Sequence, residues 1–118
     1  MENIFRQALL YDFYGELLTK HQRAIYEDAV YNDMSLSELA LEYGISRQGV
    51  HDLIKRCDKI LQGYEDKLHL VQKFEEAKNK VSQVLELSEE LRQSDLNTED
   101  QERLTKIVEI SKTLMDEL

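Results

Sequence analysis

Seven polar residues between 46 and 59 have the types and spacing of side chains that bind nucleic acid. Arginine and glutamine donate paired hydrogen bonds to base edges, whereas lysine and arginine neutralise phosphates. The candidate nucleic-acid-binding residues are Ser46, Arg47, Gln48, His51, Lys55, Arg56 and Lys59. Between residues 46 and 60, four basic residues outnumber two acidic ones, so this stretch is positive by two. Asp52 stands among the candidates, and its carboxylate is expected to repel phosphate unless a cytosine amine donates to it.

These candidates fall within residues 35–61, whose spacing is that of a helix-turn-helix. Ser35 and Glu38 have capping-box spacing and predict the start of a first short helix, while Gly44 supplies the left-handed residue of a tight turn. Ser46 is then expected to cap the second helix. Small and apolar side chains would let the two helices cross closely. Those positions are Leu36, Leu39, Ala40, Gly44, Ile45, Val50 and Leu53.

The second helix of this motif is predicted to separate an inward face from a reading face. Its inward residues recur at steps of three and four and are Val50, Ile54, Cys57 and Leu61. On the opposite face, Arg47 and Gln48 occupy the first turn, where a recognition helix reaches base edges. Lys55, Arg56 and Lys59 lie further along, where they would meet backbone phosphates.

The remaining sequence predicts an all-α chain. Proline is absent, only four glycines occur among 118 residues, and good helix formers dominate. Before the motif, helices are predicted from about residue 3 to 18 and from about residue 20 to 32, the second opened by a capping box at Thr19 and Gln22. The first helix is expected to bury Phe5, Leu9, Leu10, Phe13, Tyr14 and Leu17.

Beyond residue 63 the composition shifts toward charged helix formers. We therefore predict a helix-turn-helix domain at 1–63 and a C-terminal helical extension at 64–118. A narrow apolar stripe follows one long helix from residue 64 to about residue 91, and a second stripe follows a capping box at Thr98 and Gln101. Because two helices alone enclose little core, we expect a hairpin that pairs with a second copy. The homodimer would also bring two helix-turn-helix motifs together.

The charge of the chain argues against binding by electrostatics alone. Residues 1–63 hold 7 basic against 10 acidic residues, and residues 64–118 hold 8 against 14, which gives −3 and −6 and the total of −9. If about four phosphates were neutralised per chain, the logarithm of affinity would fall with that of salt at a slope of only about −3 to −4. The motif therefore needs a second copy or a protein partner to hold nucleic acid.

The sequence offers no residues arranged for catalysis, for a cofactor or for a metal. It has no glycine-rich phosphate loop, no Cys and His at zinc spacing, and no nucleophile signature. We expect neither an enzyme nor a bound cofactor. The single cysteine fits a reducing compartment, and no stretch reaches the roughly 18 apolar residues of a membrane span. A cytoplasmic protein without a membrane span is therefore predicted.

Four blocks of the sequence resemble the YlxM family of small bacterial helix-turn-helix proteins. They are DFYGELLT at 12–19, YNDMSLSELA at 31–40, GISRQGVHDLIKR at 44–56 and YEDKLHL at 64–70. The resemblance spans roughly residues 9–70 and leaves the acidic tail uncovered. It implies a wing-free helix-turn-helix similar to the fourth region of bacterial sigma factors, and a regulatory role linked to the signal recognition particle pathway. Gly49 departs from the pattern, since family members commonly have alanine there.

The sequence thus favours a DNA-binding regulatory protein and leaves two alternatives open. The first, implied by the resemblance, is a modulator that binds the RNA of the signal recognition particle or its GTPase, because such a motif can clamp structured RNA through phosphate contacts. The second is an adaptor whose acidic C-terminal extension binds a basic protein partner.

Overall fold

The protein is all-α, as the sequence predicts. The computed structural model describes residues 4–118, and within them it contains six α-helices, one 3-10 helix and no strand. The elements are α1 (Ile4–Tyr14), the 3-10 helix (Gly15–Leu17), α2 (Lys20–Val30), α3 (Leu36–Tyr43), α4 (Arg47–Leu68), α5 (Leu70–Arg92) and α6 (Thr98–Glu117). The predicted start of the first helix at residue 3 lies outside the described residues.

The first two helices are shorter than predicted. Helix α1 ends at Tyr14, four residues before the predicted end at 18, and the chain tightens into the 3-10 helix. The predicted capping box of α2 is confirmed, because Thr19 Oγ1 accepts from the Gln22 backbone N–H at 3.2 Å while Gln22 Oε1 accepts from the Thr19 backbone N–H at 3.0 Å. Helix α2 ends at Val30, two residues before the predicted end.

Tyrosines form much of the core between α1, α2 and α4. Tyr14 and Tyr26 are 1% and 0% exposed and pack with the inward residues of α4. The predicted burial of Phe5 is wrong, since 82% of its surface is exposed, and Leu17 is also exposed. Tyr11, which the spacing argument overlooked, is buried instead and stacks on Tyr26 with ring centroids 5.7 Å apart.

The prediction of one long helix starting at residue 64 is wrong, because α4 continues without a break through that position to Leu68. His69 then adopts a left-handed conformation with φ 56° and ends α4, and α5 begins at Leu70. The chain forms two compact units, the first ending at Val71 and the second beginning at Gln72. The position between residues 63 and 64 therefore lies inside a helix.

The second unit is a pair of helices, α5 from Gln72 onward and all of α6. Its buried residues repeat at heptad-like spacing and are Val81, Ser88, Leu104, Val108 and Ser111. Leu85 and Glu89 of α5 line one cleft together with Lys112 of α6, so the two helices lie side by side. The cap of α6 is Asn97, whose side chain accepts from the Asp100 backbone N–H at 2.8 Å, and not the predicted Thr98.

Candidate nucleic-acid interface

Helices α3 and α4 and the turn between them form the predicted helix-turn-helix. Ser35 and Glu38 complete the predicted capping box, and Gly44 takes the left-handed conformation with φ 65° that ends α3. Leu39 and Val50 are fully buried against Ile25 of α2. The other predicted contact positions pack against them as partly buried side chains and are Leu36, Ala40, Ile45 and Leu53. Helix α2 therefore supports the motif from behind.

Ser46 sets the start of α4, as predicted. Its Oγ accepts a hydrogen bond of 2.9 Å from the Gly49 backbone N–H, which is one of the donors that a helix start leaves without a helical partner. The Ser46 oxygen is therefore engaged in the cap, and its hydroxyl proton is what it can offer to a phosphate. The cap fixes the direction in which the next residues leave the turn.

Arg47, Gln48 and His51 come together on the exposed side of the first two turns of α4. With Leu36 from α3 they line a shallow cleft of about 410 Å³. All three polar side chains are exposed. Their charge and hydrogen-bonding groups are thus accessible to a ligand that lies across the N-terminal end of α4.

Asp52 contacts two of these side chains. Its Oδ1 accepts from Gln48 Nε2 at 2.9 Å and lies 3.5 Å from His51 Nδ1. Gln48 retains a second amide hydrogen and its carbonyl oxygen for a ligand. The sequence analysis expects Asp52 to repel phosphate unless a cytosine amine donates to it. The four-residue step from Gln48 to Asp52 is also the spacing at which side chains meet on a helix.

Lys55 and Lys59 continue the same exposed side of α4 and line a second cleft. This cleft, of about 310 Å³, lies between α1 and α4, and Arg6 adds a third cation to it. Its remaining residues are Gln7, Leu10, Asp58 and Gln62. Arg56 is exposed but lines neither cleft. The spacing of the motif does not predict that Arg6 lines this cleft, because Arg6 lies more than 40 residues before Arg47 in the chain.

Hydrogen bonds from α1 and α2 anchor the middle of α4. Asp58 Oδ1 accepts from Tyr26 Oη at 2.6 Å and from Gln7 Nε2 at 3.0 Å. Next to it, Cys57 is fully buried, and burial raises the pKa of its thiol to about 11, with the Asp58 carboxylate adding to the rise. These contacts fix the helix on which the candidate residues are carried.

Neither a membrane-spanning helix nor a metal cluster occurs among residues 4–118. No helix there has the length and apolar character needed to cross a membrane. No group of three or more His, Cys, Asp or Glu side chains in the same residues could hold a metal ion.

A short helix, a left-handed turn and a second helix with an exposed cationic side define a helix-turn-helix protein. The chain belongs to the UPF0122 family, whose profile, described as "Putative helix-turn-helix protein, YlxM / p13 like", matches residues 1–108. The expectation that the acidic tail lies outside the family is wrong, because the match runs far beyond residue 70.

Similar proteins carry the same family name. A UPF0122 protein of Acetivibrio thermocellus is 42% identical over 116 residues, which cover 92% of this chain and 99% of that protein. One from Caldanaerobacter subterraneus is 49% identical over 79 residues, covering 67% and 68%. Another, from Bacillus thuringiensis, is 43% identical over 90 residues, covering 76% and 82%. These names identify the family and state no ligand.

Proposed function

We propose that this chain is a DNA-binding regulatory protein that presents the first turns of α4 to base edges in the major groove. The observation that carries the proposal is the exposed group of Arg47, Gln48 and His51 around one cleft. Arginine pairs with guanine through two hydrogen bonds and glutamine pairs with adenine in the same way. The hydrogen bond from Gln48 to Asp52 supports this role. Because it already restricts the Gln48 side chain, less conformational entropy is lost when the amide binds a base.

A single motif of this charge would bind DNA weakly, so we also propose that the protein acts as a homodimer. Two linked motifs bind with higher avidity than one, because the second binding event becomes intramolecular. The second unit offers the surface for pairing. We define its apolar face as the exposed aliphatic residues Val84, Leu87, Leu91, Ile107, Ile110, Leu114 and Leu118, which are 38% to 67% exposed.

Helical geometry places these residues on one side of the helix pair. Glu89 and Lys112 line the cleft on one side of α5 and α6. Leu91 follows Glu89 by two residues and Leu114 follows Lys112 by two, and two residues turn a helix by about 200°. Both leucines therefore lie on the side opposite the cleft.

The extent of the apolar face and the distribution of charge favour a second copy of the chain as its partner. Seven half-exposed aliphatic side chains would bury on the order of 600 Å² per protomer, close to the roughly 800 Å² of a standard interface. The carboxylates of Glu86, Glu89 and Glu90 lie around the cleft. These three carboxylates are thus kept away from the apolar face, which reduces repulsion between two copies.

The DNA-binding proposal is tested by selecting duplexes from a random pool with the full-length chain. Replacing Arg47 and Gln48 with Ala should then lower the preference for the selected site over a scrambled duplex by roughly tenfold or more. Lys67→Ala, an exposed cation in the last turn of the same helix, is the matched control and should keep the preference. Recovery of no preferred sequence, or an unchanged preference in the double variant, would refute the proposal.

Two other functions remain separate proposals. Association with the signal recognition particle rests on family resemblance alone, and an immobilised chain that retained neither the particle's RNA nor its GTPase would count decisively against it. An adaptor function would use Glu86, Glu89 and Glu90, which line an acidic cleft of about 610 Å³. Glutamine at all three positions should then release basic proteins bound at low salt, and unchanged retention would exclude this role.

A further inference from the structure

The cleft between α1 and α4 has the composition of an anion site. Three cationic residues from two helices, Arg6, Lys55 and Lys59, line a cleft of about 310 Å³ together with the amide residues Gln7 and Gln62. Asp58 is the one carboxylate that lines the cleft, so its lining is positive by two. Arginine and lysine side chains that line one cleft can bind a phosphate group through charge-assisted hydrogen bonds.

The position of the cleft along α4 favours a phosphate over a base. Lys55 lies eight residues and Lys59 twelve residues beyond Arg47, which is about 12 Å and 18 Å along the helix axis. The major groove is about 12 Å wide. When the first turn of α4 lies in the groove, Lys55 therefore lies about one groove width away and Lys59 lies further out, toward the flanking backbone.

We propose that the α1–α4 cleft binds a phosphate group, with Arg6 as the contact that the helix-turn-helix motif itself does not supply. This inference deepens the proposed function and rests on it for one source of the phosphate, the DNA backbone. The other source is a small phosphorylated molecule. Asp58 restrains the affinity of the site because its carboxylate lines the same cleft, although its Oδ1 accepts hydrogen bonds from Gln7 and Tyr26.

Two opposed variants test the cleft by fluorescence anisotropy of a DNA duplex over a series of salt concentrations. Arg6→Gln should weaken binding several-fold at low salt, equally for every sequence, and reduce the salt slope by about 1. Asp58→Asn keeps an oxygen acceptor for Tyr26 and should strengthen binding at low salt. Lys20→Gln, an exposed cation in the first turn of α2, is the matched control and should leave the slope unchanged. Thermal unfolding by circular dichroism verifies that each variant is folded.

A second arm titrates the protein with inorganic pyrophosphate and follows the side-chain amide resonances of Gln7 and Gln62 by NMR. Shifts in the wild type that are lost in Arg6→Gln support the site even if the chain binds no duplex; in that case the DNA-binding proposal fails and a small phosphorylated ligand is indicated. Loss of DNA affinity in Arg6→Gln supports the backbone as the source. The inference is overturned if neither DNA affinity nor the pyrophosphate shifts depend on Arg6.

Discussion

Tyr14 donates a 2.5 Å hydrogen bond to Glu65 across 51 residues of sequence, and this buried pair holds the start of α5. Glu65 Oε1 also accepts from the Val71 backbone N–H at 3.0 Å, while the Tyr14 hydroxyl oxygen accepts from that of Leu70 at 3.1 Å. The first N–H groups of a helix have no helical partner. Side chains of α1 and α4 therefore satisfy the first two donors of α5, directly after the left-handed residue His69.

Removing the Tyr14 hydroxyl should destabilise the first unit. Tyr14→Phe leaves the buried Glu65 carboxylate and the Leu70 N–H without this partner, which costs about 1 to 3 kcal/mol. Urea unfolding followed by circular dichroism measures the loss. Tyr64→Phe is the matched control, because Tyr64 stacks on Tyr14 with ring centroids 6.0 Å apart, and it should change stability by no more than about 0.5 kcal/mol. Equal losses in the two variants would contradict this role for the Tyr14 hydroxyl.

Stability should fall at alkaline pH through the tyrosine that joins α3 to α2. Tyr43 donates a hydrogen bond of 2.5 Å to Asp28, and this bond, followed by burial, raises the pKa of Tyr43 from 10.0 to about 12. The unfolded chain loses this proton near pH 10 and the folded chain near pH 12. The contribution is therefore complete below pH 10 and is lost as pH rises from 10 to 12.

Urea unfolding midpoints across this pH range measure the effect, with tyrosinate absorbance as an independent record of ionisation. Tyr43→Phe should make the fall between pH 10 and 12 smaller than in the wild type. Asp28→Asn keeps an acceptor but removes the charge, so its fall should be smaller than that of the wild type. A fall of equal size in all three proteins would show that other groups cause it.

Three glycines should respond differently to alanine because of their surroundings. Gly63 lies inside α4 with nothing within 4 Å of an added Cβ, so Gly63→Ala should stabilise by roughly 0.5 to 1 kcal/mol. Gly44 has φ 65°, and Gly44→Ala should destabilise by about 1 kcal/mol. At Gly49 the added Cβ would lie 3.0 Å from the capping oxygen of Ser46, so the gain should be smaller than at Gly63. Urea unfolding decides the order, and a larger gain at Gly49 would contradict it.

The sequence predicted those parts of the fold that depend on neighbours along the chain. The caps at Thr19, Ser35 and Ser46 and the turn at Gly44 involve residues at most four apart, and the structure confirms each of them. By contrast, no proline or glycine adjacent to His69 indicates that α4 ends there. The first N–H of α5 is bound by Tyr14, 56 residues earlier in the chain, so local patterns could not reveal where this helix begins.

The candidate site likewise contains residues that the local spacing predicted and one residue that it did not. The motif spacing predicted that Arg47, Gln48 and His51 share one side of α4, and they line one cleft. The four-residue spacing of Gln48 and Asp52 also indicates a hydrogen bond between them, which the structure contains. Arg6 could not be found, because its place beside Lys59 results from the packing of α1 on α4.

The apolar face should control oligomeric state. Ile110 is 67% exposed within it, and Ile110→Lys places a charge where a second copy would bury a methyl-rich side chain, so the dimer should dissociate to monomers at micromolar concentration. Thr105→Lys adds the same charge on the opposite, exposed side of α6 and should leave the dimer intact. Light scattering gives the mass, and circular dichroism verifies that α6 is retained. Because uncoupled motifs lose avidity, Ile110→Lys should also weaken DNA binding while preserving sequence preference. A strictly monomeric wild type would refute the dimer, and a dimeric Ile110→Lys would exclude this face as the interface.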